Sequence, residues 1–564
     1  MNSVVVLIIG FVVAYIGYRI YSKYVDQKII QSDPKKATPA KMYMDGVDFM
    51  PTSKNILFGY QFKSIAGAAP VIGPIIAVQW GWLPAILWIL LGTLFIGWVH
   101  DYSSAMIAMR HDGASFGGLS YKLISPRARA ILLSFVYFYL LLVAGAFGAI
   151  VVGTAIGLKG APVAWAFMTV AGILAGQMIY RWRKDIILTT VIGVGMILFG
   201  IWVGTMAPSD KIIGSDLANS RPLWTFLTFL FCYFGAVLPI WRFALPINYV
   251  ASYIVFLGLV FGIIGVFIKH PDLTLPAFTT FKIPIGYLWP TMFVTIACGA
   301  ISGWHSLVSS SGTARQLENE IDARPVCGGV MYVEMMLAVF ALVIAATFVG
   351  DIKAYSAALA KGPMTVFSSG VANFLNGLGL PISVGMTYGS VMMIILAVTI
   401  LQLVIRFMRV ATSELLGDVS PFFKNPHIGA IVASLFALIL VVTGWWQYLW
   451  VLFGGANQLM ASMALMLVSA WMIAEGKKVF WSFYPMIFMF VTTVAALIYT
   501  SYMLLTKVFT GAVKGTEAII GNTIIGFVGI FLVIAAFILA IEGFRAFERH
   551  RAARRAAAAT PARA

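Results

Sequence analysis

Apolar residues fall along this chain in long blocks, separated by short polar segments. They follow neither the two-residue alternation of a half-buried strand nor the narrow stripe of a surface helix. A helix needs roughly 17–25 predominantly apolar residues to cross a bilayer. About fifteen blocks meet that measure, near 3–21, 64–81, 84–109, 130–153, 162–180, 185–206, 223–241, 246–268, 288–310, 329–350, 385–409, 427–446, 450–473, 481–505 and 520–543. The pattern predicts an all-α polytopic membrane protein. The second block differs from the rest. It reads SIAGAAPVIGPIIAVQWGW over 64–82 and holds Gly67, Pro70, Gly73 and Pro74. Proline removes a helix hydrogen bond and glycine frees the backbone. Irregular backbone at membrane depth survives only where protein or a water-filled cavity satisfies it. Broken helices of this kind expose amides and carbonyls to a transported molecule. A Pro-kinked packing helix would carry the same residues.

Charge supports the count of spans. With the N-terminus outside, alternate connections hold 29 of the 38 Lys and Arg, including every one from Arg19 to Lys63, and nine remain on the other side. Basic residues favour the cytoplasmic face, so the C-terminus is expected inside. The block at 3–21 lacks the basic start and small-residue cleavage site of a signal peptide and reads as a retained helix. The expected organisation is then residues 1–63 as a first helix plus cytoplasmic linker, 64–409 as a transport core, 410–543 as additional helices and 544–564 as a basic tail against anionic lipid. Five spans over 64–206 and five over 223–409 form two repeats of opposite orientation. The first helix of the second repeat, 223–241, should then also be broken, and it carries Gly235 and Pro239.

Composition narrows the function. The chain is 61% hydrophobic and 10% charged, against roughly a quarter charged for soluble domains. The net charge of +17 belongs to the connections and tail, so nucleic acid is not the expected partner. Cys232, Cys298 and Cys327 lack paired spacing, which argues against disulfides and thiolate metal sites. No HExxH, paired-His helix or Walker loop is present, so neither an enzyme nor a cofactor is expected.

Polar residues inside the blocks mark the candidate chemistry. Ser302, Ser306, Ser309 and Thr313 share one face if 297–313 is a helix. Their hydroxyls suit a hard cation or a polar cargo; they also suit interhelical packing. His305 lies on the same segment and can carry a proton near neutral pH. Asp101 lies about 13 Å of helix rise from Arg110, too deep to be left unpaired. His100 is expected to point elsewhere around that helix. Glu334 is a second buried acid. Asn457 reads as structural, either capping a helix or packing against core backbone. The expected carrier binds a small carboxylate at Gly67, Ala68, Ala69 and Gly73, where free N–H groups and the half-helix dipole favour an anion. Tyr233 and Gly235 of the second broken helix, with Ser302, Ser306 and His305, complete the cargo site. Coupling falls either to H⁺, titrating at Asp101, His305 or Glu334, or to Na⁺ at Ser309 and Ser310. A channel or a nutrient sensor is the remaining alternative.

Several of these segments carry a resemblance. DGVDFMPT (45–52), LFGYQFKSIAGAAPVIGP (57–74), RHDGAS (110–115), AVLPIW (236–241), ACGAISGWHSLVSSSGT (297–313), SELLGDVSP (413–421) and LFGGANQLMA (452–461) resemble, in order, the carbon starvation protein family. The resemblance implies a prokaryotic inner-membrane carrier that takes up pyruvate or peptides under nutrient limitation, with a LeuT-type core of five-plus-five helices. It carries over to Gly67, Gly73, His305, Ser309 and Ser310. The chain departs from the pattern at Tyr60–Gln61, where many members have a His pair. It departs again at Ala69, at Ile247–Asn248 and at Gln402, so several ionisable groups of the family are absent.

Overall fold

The structure is a computed structural model. It describes residues 1–559, save the side chains of 447–451 and 557–559, so the last five residues of the basic tail, 560–564, lie outside the described residues. A chain in hydrocarbon must satisfy its own amides, and the apolar blocks do so as helices. In chain order these are α1 (Ser3–Ile30), α2 (Lys54–Ile65), α3 (Ala69–Ala77), α4 (Trp82–Met109), α5 (Pro126–Gly157), α6 (Ala161–Arg181), α7 (Ile186–Met206), α8 (Arg221–Val237) and α9 (Ala244–Lys269). Then follow α10 (Gly303–Ser311), α11 (Glu320–Ala346), α12 (Ile352–Ala360), α13 (Pro363–Asn376), α14 (Ile382–Leu416), α15 (Pro426–Thr443), α16 (Trp446–Glu475), α17 (Phe480–Phe509) and α18 (Thr516–Ala559). Among the described residues twelve helices are long and apolar enough to cross a membrane, or thirteen if the bent pair α2–α3 is one span. Two of the fifteen predicted blocks fall outside that number. α8 has only 17 residues, and 288–310 is interrupted in its middle.

The break in the second block is present, and its helix starts earlier than the apolar pattern indicates. α2 begins at Lys54, stops at Ile65, and meets the second half at a 46° bend. The polar linker is shorter than expected at both ends, because α1 continues to Ile30. Pro70 sits in the first turn of α3, where no donor is needed.

The second break is not where the sequence pattern placed it. α8 is continuous from Arg221 to Val237, and Pro239 follows its end as a stop signal. Gly235 serves close packing instead: a Cβ there would lie 2.7 Å from the Gln402 amide oxygen. The break falls in the block 288–310. A short turn, Phe293–Thr295, is followed by unwound backbone over 296–302 before α10 begins.

Contacts sort the connections into two groups that alternate along the chain. On one side Asn2 bridges Asp272, Thr274 N–H donates to Ala346 O, Leu83 N–H to Ala277 O, and Ser209 N–H to Lys159 O. On the other, Thr52 bridges Leu317, Ile240 N–H donates to Val47 O, Arg315 to Gly113 O, and Lys477 to Ile30 O. The helices also pack in an exchanged pattern. α4, which follows the first broken helix, packs on α10 of the second; α11, which follows the second, packs on α3 of the first. The long helices α5 and α14 pack on each other, α8 packs on α14, and α15 packs on α5.

Candidate functional site

The two breaks abut. The Gly73 backbone passes so close to the second broken segment that a Cβ would lie 2.6 Å from Thr295 O. The end of α2 leaves carbonyls without helical partners. Side chains take them up: the Trp304 indole donates to Ser64 O at 2.7 Å, the Lys63 ammonium to Ala66 O at 2.7 Å, and the Cys298 thiol lies 3.8 Å from Ile65 O.

The unwound segment 296–302 is held in the same way. Asn457 Nδ2 donates to Ala297 O at 2.9 Å. Its Oδ1 accepts from the Tyr139 hydroxyl at 2.8 Å, from Ser302 at 3.1 Å and from Trp304 N–H at 3.2 Å. Gln458 Nε2 donates to Phe293 O and Ile296 O, and Thr93 donates to Gly299 O. The expectation of a structural Asn457 is met in these contacts.

Beside the breaks lies a buried ionisable trio. His305 Nδ1 is 3.0 Å from Asp101 Oδ2, and its Nε2 is 3.2 Å from Glu334 Oε2. All three side chains are fully buried. α4 supplies Asp101, α10 supplies His305 and α11 supplies Glu334, so the trio joins both halves of the exchanged packing. A neutral imidazole has one N–H, which serves one carboxylate. The Nδ1 contact with Asp101 is a hydrogen bond, whereas neither Glu334 carboxylate oxygen has a hydrogen-bond partner among the described residues. Bonding to both acids at once would require a further proton, on the ring or on an acid. His100 does not point away as expected. Its Nδ1 lies 2.8 Å from Asp101 Oδ1 and 2.9 Å from Ser306 Oγ.

Cys298 Sγ lies 3.4 Å from His305 Nε2, and these two with Glu334 have donor atoms within 4.8 Å of one another. The three form one buried cluster beside the breaks.

The row of hydroxyls is only partly a helix face. Ser302 is the residue before α10 and bonds Asn457. Ser306 reaches His100, Ser309 accepts from Gln61 Nε2 at 2.9 Å, and Thr313 donates to Gln61 Oε1. Ser310 donates to Ser306 O of its own helix. Gly67, Ala68 and Ala69 lie at the first break, where Gly67 is packed against Ile400 and Phe147. This conformation therefore has no open space at Gly67. Tyr233 and Gly235 are engaged elsewhere, Tyr233 with His427 at 2.8 Å and Gly235 O with Arg406 at 3.1 Å.

Lys63, Gln61, His100 and Cys298 carry no site role in the sequence reading. Lys63 falls among the loop cations there, yet it is fully buried at the break. A helical start at Lys54 is the signal that would have found both α2 residues.

Comparison with known proteins identifies relatives. The family model "Carbon starvation protein CstA" matches residues 2–356 and 348–496. The "Pyruvate/proton symporter BtsT" of Escherichia coli K12 is 32% identical over 61% of this chain, and the match spans 49% of that protein, about half its length. The "Peptide transporter CstA" of the same organism is 30% identical, covering 83% of this chain and 76% of the relative. That of Bacillus subtilis 168 is 29% identical over 97% of both chains. Among solved structures, an Eremococcus coleocola manganese transporter aligns over 90% of this chain at 12% identity and TM-score 0.44. MhsT in complex with L-phenylalanine aligns over 87% at 12% identity and TM-score 0.43.

Proposed function

The chain belongs to the carbon starvation protein CstA family, and on that premise we propose that it is a secondary transporter importing a small, pyruvate-like carboxylate by cation-coupled alternating access. The observation that carries this reading is the Asp101–His305–Glu334 trio beside two abutting helix breaks. An ionisable group buried in a membrane is costly and is kept where it moves charge or protons. Here the proton binds helices of both halves together, so its arrival and departure bias their packing. We favour H⁺ as the coupling ion; Na⁺ at Ser309 and Ser310 is the alternative, with their present bonds to Gln61 and Ser306 O giving way to the ion.

The cargo carboxylate is assigned to the N–H groups at Gly67, Ala68 and Ala69 and to the start of α3, with Gly73, Ser302, Ser306 and His305 beside them. Because Gly67 is packed in this conformation, binding requires α2 to swing at the break. Tyr233 and Gly235 drop out of the cargo site on their contacts. The alternating connections support fifteen crossings, and the Lys/Arg bias supports an outside N-terminus and a cytoplasmic C-terminus; the family reading places the chain in a prokaryotic inner membrane. The exchanged packing supports an inverted repeat whose halves begin at the two breaks: α2 to α5 with α8 and α9, and 288–346 with α14 to α16. That division replaces the 64–206 and 223–409 pairing. No catalytic role is assigned.

A peptide importer is the second reading, because the relatives named peptide transporters match along more of the chain than the symporter does. The test is uptake of labelled pyruvate into proteoliposomes under an imposed pH or Na⁺ gradient, with a dipeptide as competitor. Accumulation driven by the pH gradient supports the main reading. Accumulation driven by Na⁺ alone removes the proton assignment. Binding of the dipeptide without pyruvate uptake selects the second reading.

A further inference from the structure

The segment 45–52 runs across one end of the core and is tied down at every step. Asp45 Oδ1 accepts the N–H groups of Val47, Asp48 and Phe49 at 2.8–2.9 Å and so forms a tight turn. Gly46 O accepts the Trp241 indole, and Val47 O accepts Ile240 N–H. Met50 and Thr52 N–H donate to Arg315 O and Gln316 O. At the centre Asp48 Oδ1 is 2.5 Å from Arg406 Nη2, and its Oδ2 is 3.5 Å from Arg409 Nη2. Burial works against the Asp48 charge, but Arg406 and then Arg409 outweigh it and hold the carboxyl at about 2.

The strap is placed to close a route. It ends just before α2, the half-helix that must swing. Beneath it lies a small cavity walled by Asp48, Ile240, Gly312, Arg315, Arg406 and Phe407. On the inner side of that cavity Gly312 faces the Tyr60 hydroxyl, 3.2 Å from where a Cβ would stand. One residue on, Gln61 bonds Ser309 of α10, the helix that carries His305.

The guanidiniums outnumber the acid. Arg406 is also fixed by Gly235 O at 3.1 Å and Leu238 O at 2.9 Å, so it stays in place if the strap leaves. A lifted strap would leave Nη2 of Arg406 and of Arg409 facing the route with no carboxylate. Planar guanidiniums match carboxylates in geometry as well as charge.

We propose that Asp48, Arg406 and Arg409 are the latch of the cytoplasmic side, and that the same two arginines take the cargo's carboxylate once the strap lifts. Strap and cargo then compete for one site. Cargo at the arginines holds the route open, and an empty site recloses on Asp48. The cargo half of this inference rests on the carboxylate reading above; the latch half rests only on the membrane orientation given there, and its labelling readout needs no cargo.

The experiment uses the full chain with Ser311→Cys, a position on the cavity wall. The native cysteines are buried. Labelling by a membrane-impermeant maleimide from the cytoplasmic side reads strap opening without any transport. Asp48→Asn is expected to speed labelling about tenfold, since breaking a largely buried pair shifts a two-state closure by that order. Asp48→Glu, which keeps the carboxylate, is expected to hold a slow rate. Labelling that Asp48→Asn leaves unchanged overturns the latch, whatever the protein carries. For the cargo half, Arg409→Gln is expected to raise the pyruvate KM about tenfold from the cytoplasmic side, one lost charge-assisted contact. The KM from the other side should stay within about twofold. Equal changes on both sides, or none on either, overturn the docking role. Absence of pyruvate flux in the unsubstituted protein would instead sink the transport reading and leave the latch to be judged by labelling.

Discussion

Asn457→Leu tests whether the second break is held open by its neighbours or is a property of the segment itself. The side-chain amide donates to Ala297 O and to Ser302 Oγ, and its oxygen accepts from Tyr139, Ser302 and Trp304 N–H. Leucine fills similar space and makes none of these. The Ser302 hydroxyl can rotate to another partner. Ala297 O, Trp304 N–H and the Tyr139 hydroxyl are left in a fully buried place. A buried hydrogen bond contributes about 1 kcal/mol net in proteins, and about 0.6 on average between membrane helices. Three orphaned groups therefore cost about 2–4 kcal/mol, the upper end reflecting desolvation without repayment.

The assay is equilibrium unfolding in mixed detergent micelles, run as a double-mutant cycle with Tyr139→Phe. Alone, Tyr139→Phe should cost about 0.6–1 kcal/mol. In the Asn457→Leu background it should cost nothing or stabilise, because it removes a hydroxyl that has already lost its partner. Two results refute the reasoning: a cost below about 0.5 kcal/mol for Asn457→Leu, or the same Tyr139→Phe cost in both backgrounds.

Three further outcomes are expected. His305→Gln keeps a polar contact to one acid but cannot hold the second proton, so pH-driven accumulation should fall about tenfold or more while exchange of labelled for unlabelled cargo persists; equal loss of both activities would remove the coupling role. Gly73→Ala should destabilise by about 1–3 kcal/mol, because its Cβ would meet backbone at Thr295 that cannot step aside, whereas Gly153→Ala, with nothing within 4 Å, should not destabilise in the same unfolding assay. Asp48 has a depressed pKa, about 2 against an ordinary 3.8, so its contribution, about 2 kcal/mol, is fully present above pH 4 and is lost as pH falls through 2. The labelling ratio of Asp48→Asn to parent should accordingly be flat between pH 5 and pH 7.5, and a collapse within that window would assign the latch to another group.

The helical blocks were legible because hydrocarbon leaves no alternative to internal hydrogen bonding, and length alone then finds them. Their starts were less so. Lys54, Asn55, Gln61 and Lys63 dilute α2 until it reads as a loop, although its interior is buried by α9 and the core. The first break announces itself through glycine and proline within 67–74. The same residue types misled at Gly235 and Pro239, where one fits the Gln402 side chain and the other follows a helix end. The second break carries no proline. IACGAIS over 296–302 is apolar and small, and unwinds because Asn457, Gln458 and Thr93 supply its hydrogen bonds from other helices. No local pattern records such a tertiary cause. It also explains why Ser302 falls outside α10, while Thr313 lies beyond the other end of that helix.

The transport reading divides the site into an anchored part and a swinging part, with their boundary at the first break. The trio sits on α4, α10 and α11, and α2 packs against the last two. α2 also bonds the site directly: Gln61 with Ser309 and Thr313, and Ser64 O with Trp304. Its other end is continuous with the strap and the Asp48 latch. Lys63 lies between these two parts. Its ammonium closes the last carbonyl before the bend and stands within electrostatic range of Glu334. A proton taken by the trio weakens the attraction of Glu334 for Lys63, and a proton lost restores it. The charge state of the anchored part thus acts on the residue at the hinge of the mobile part. Under the proton-coupled reading, that pairing would connect the trio to α2, and through α2 to the strap proposed above as a latch.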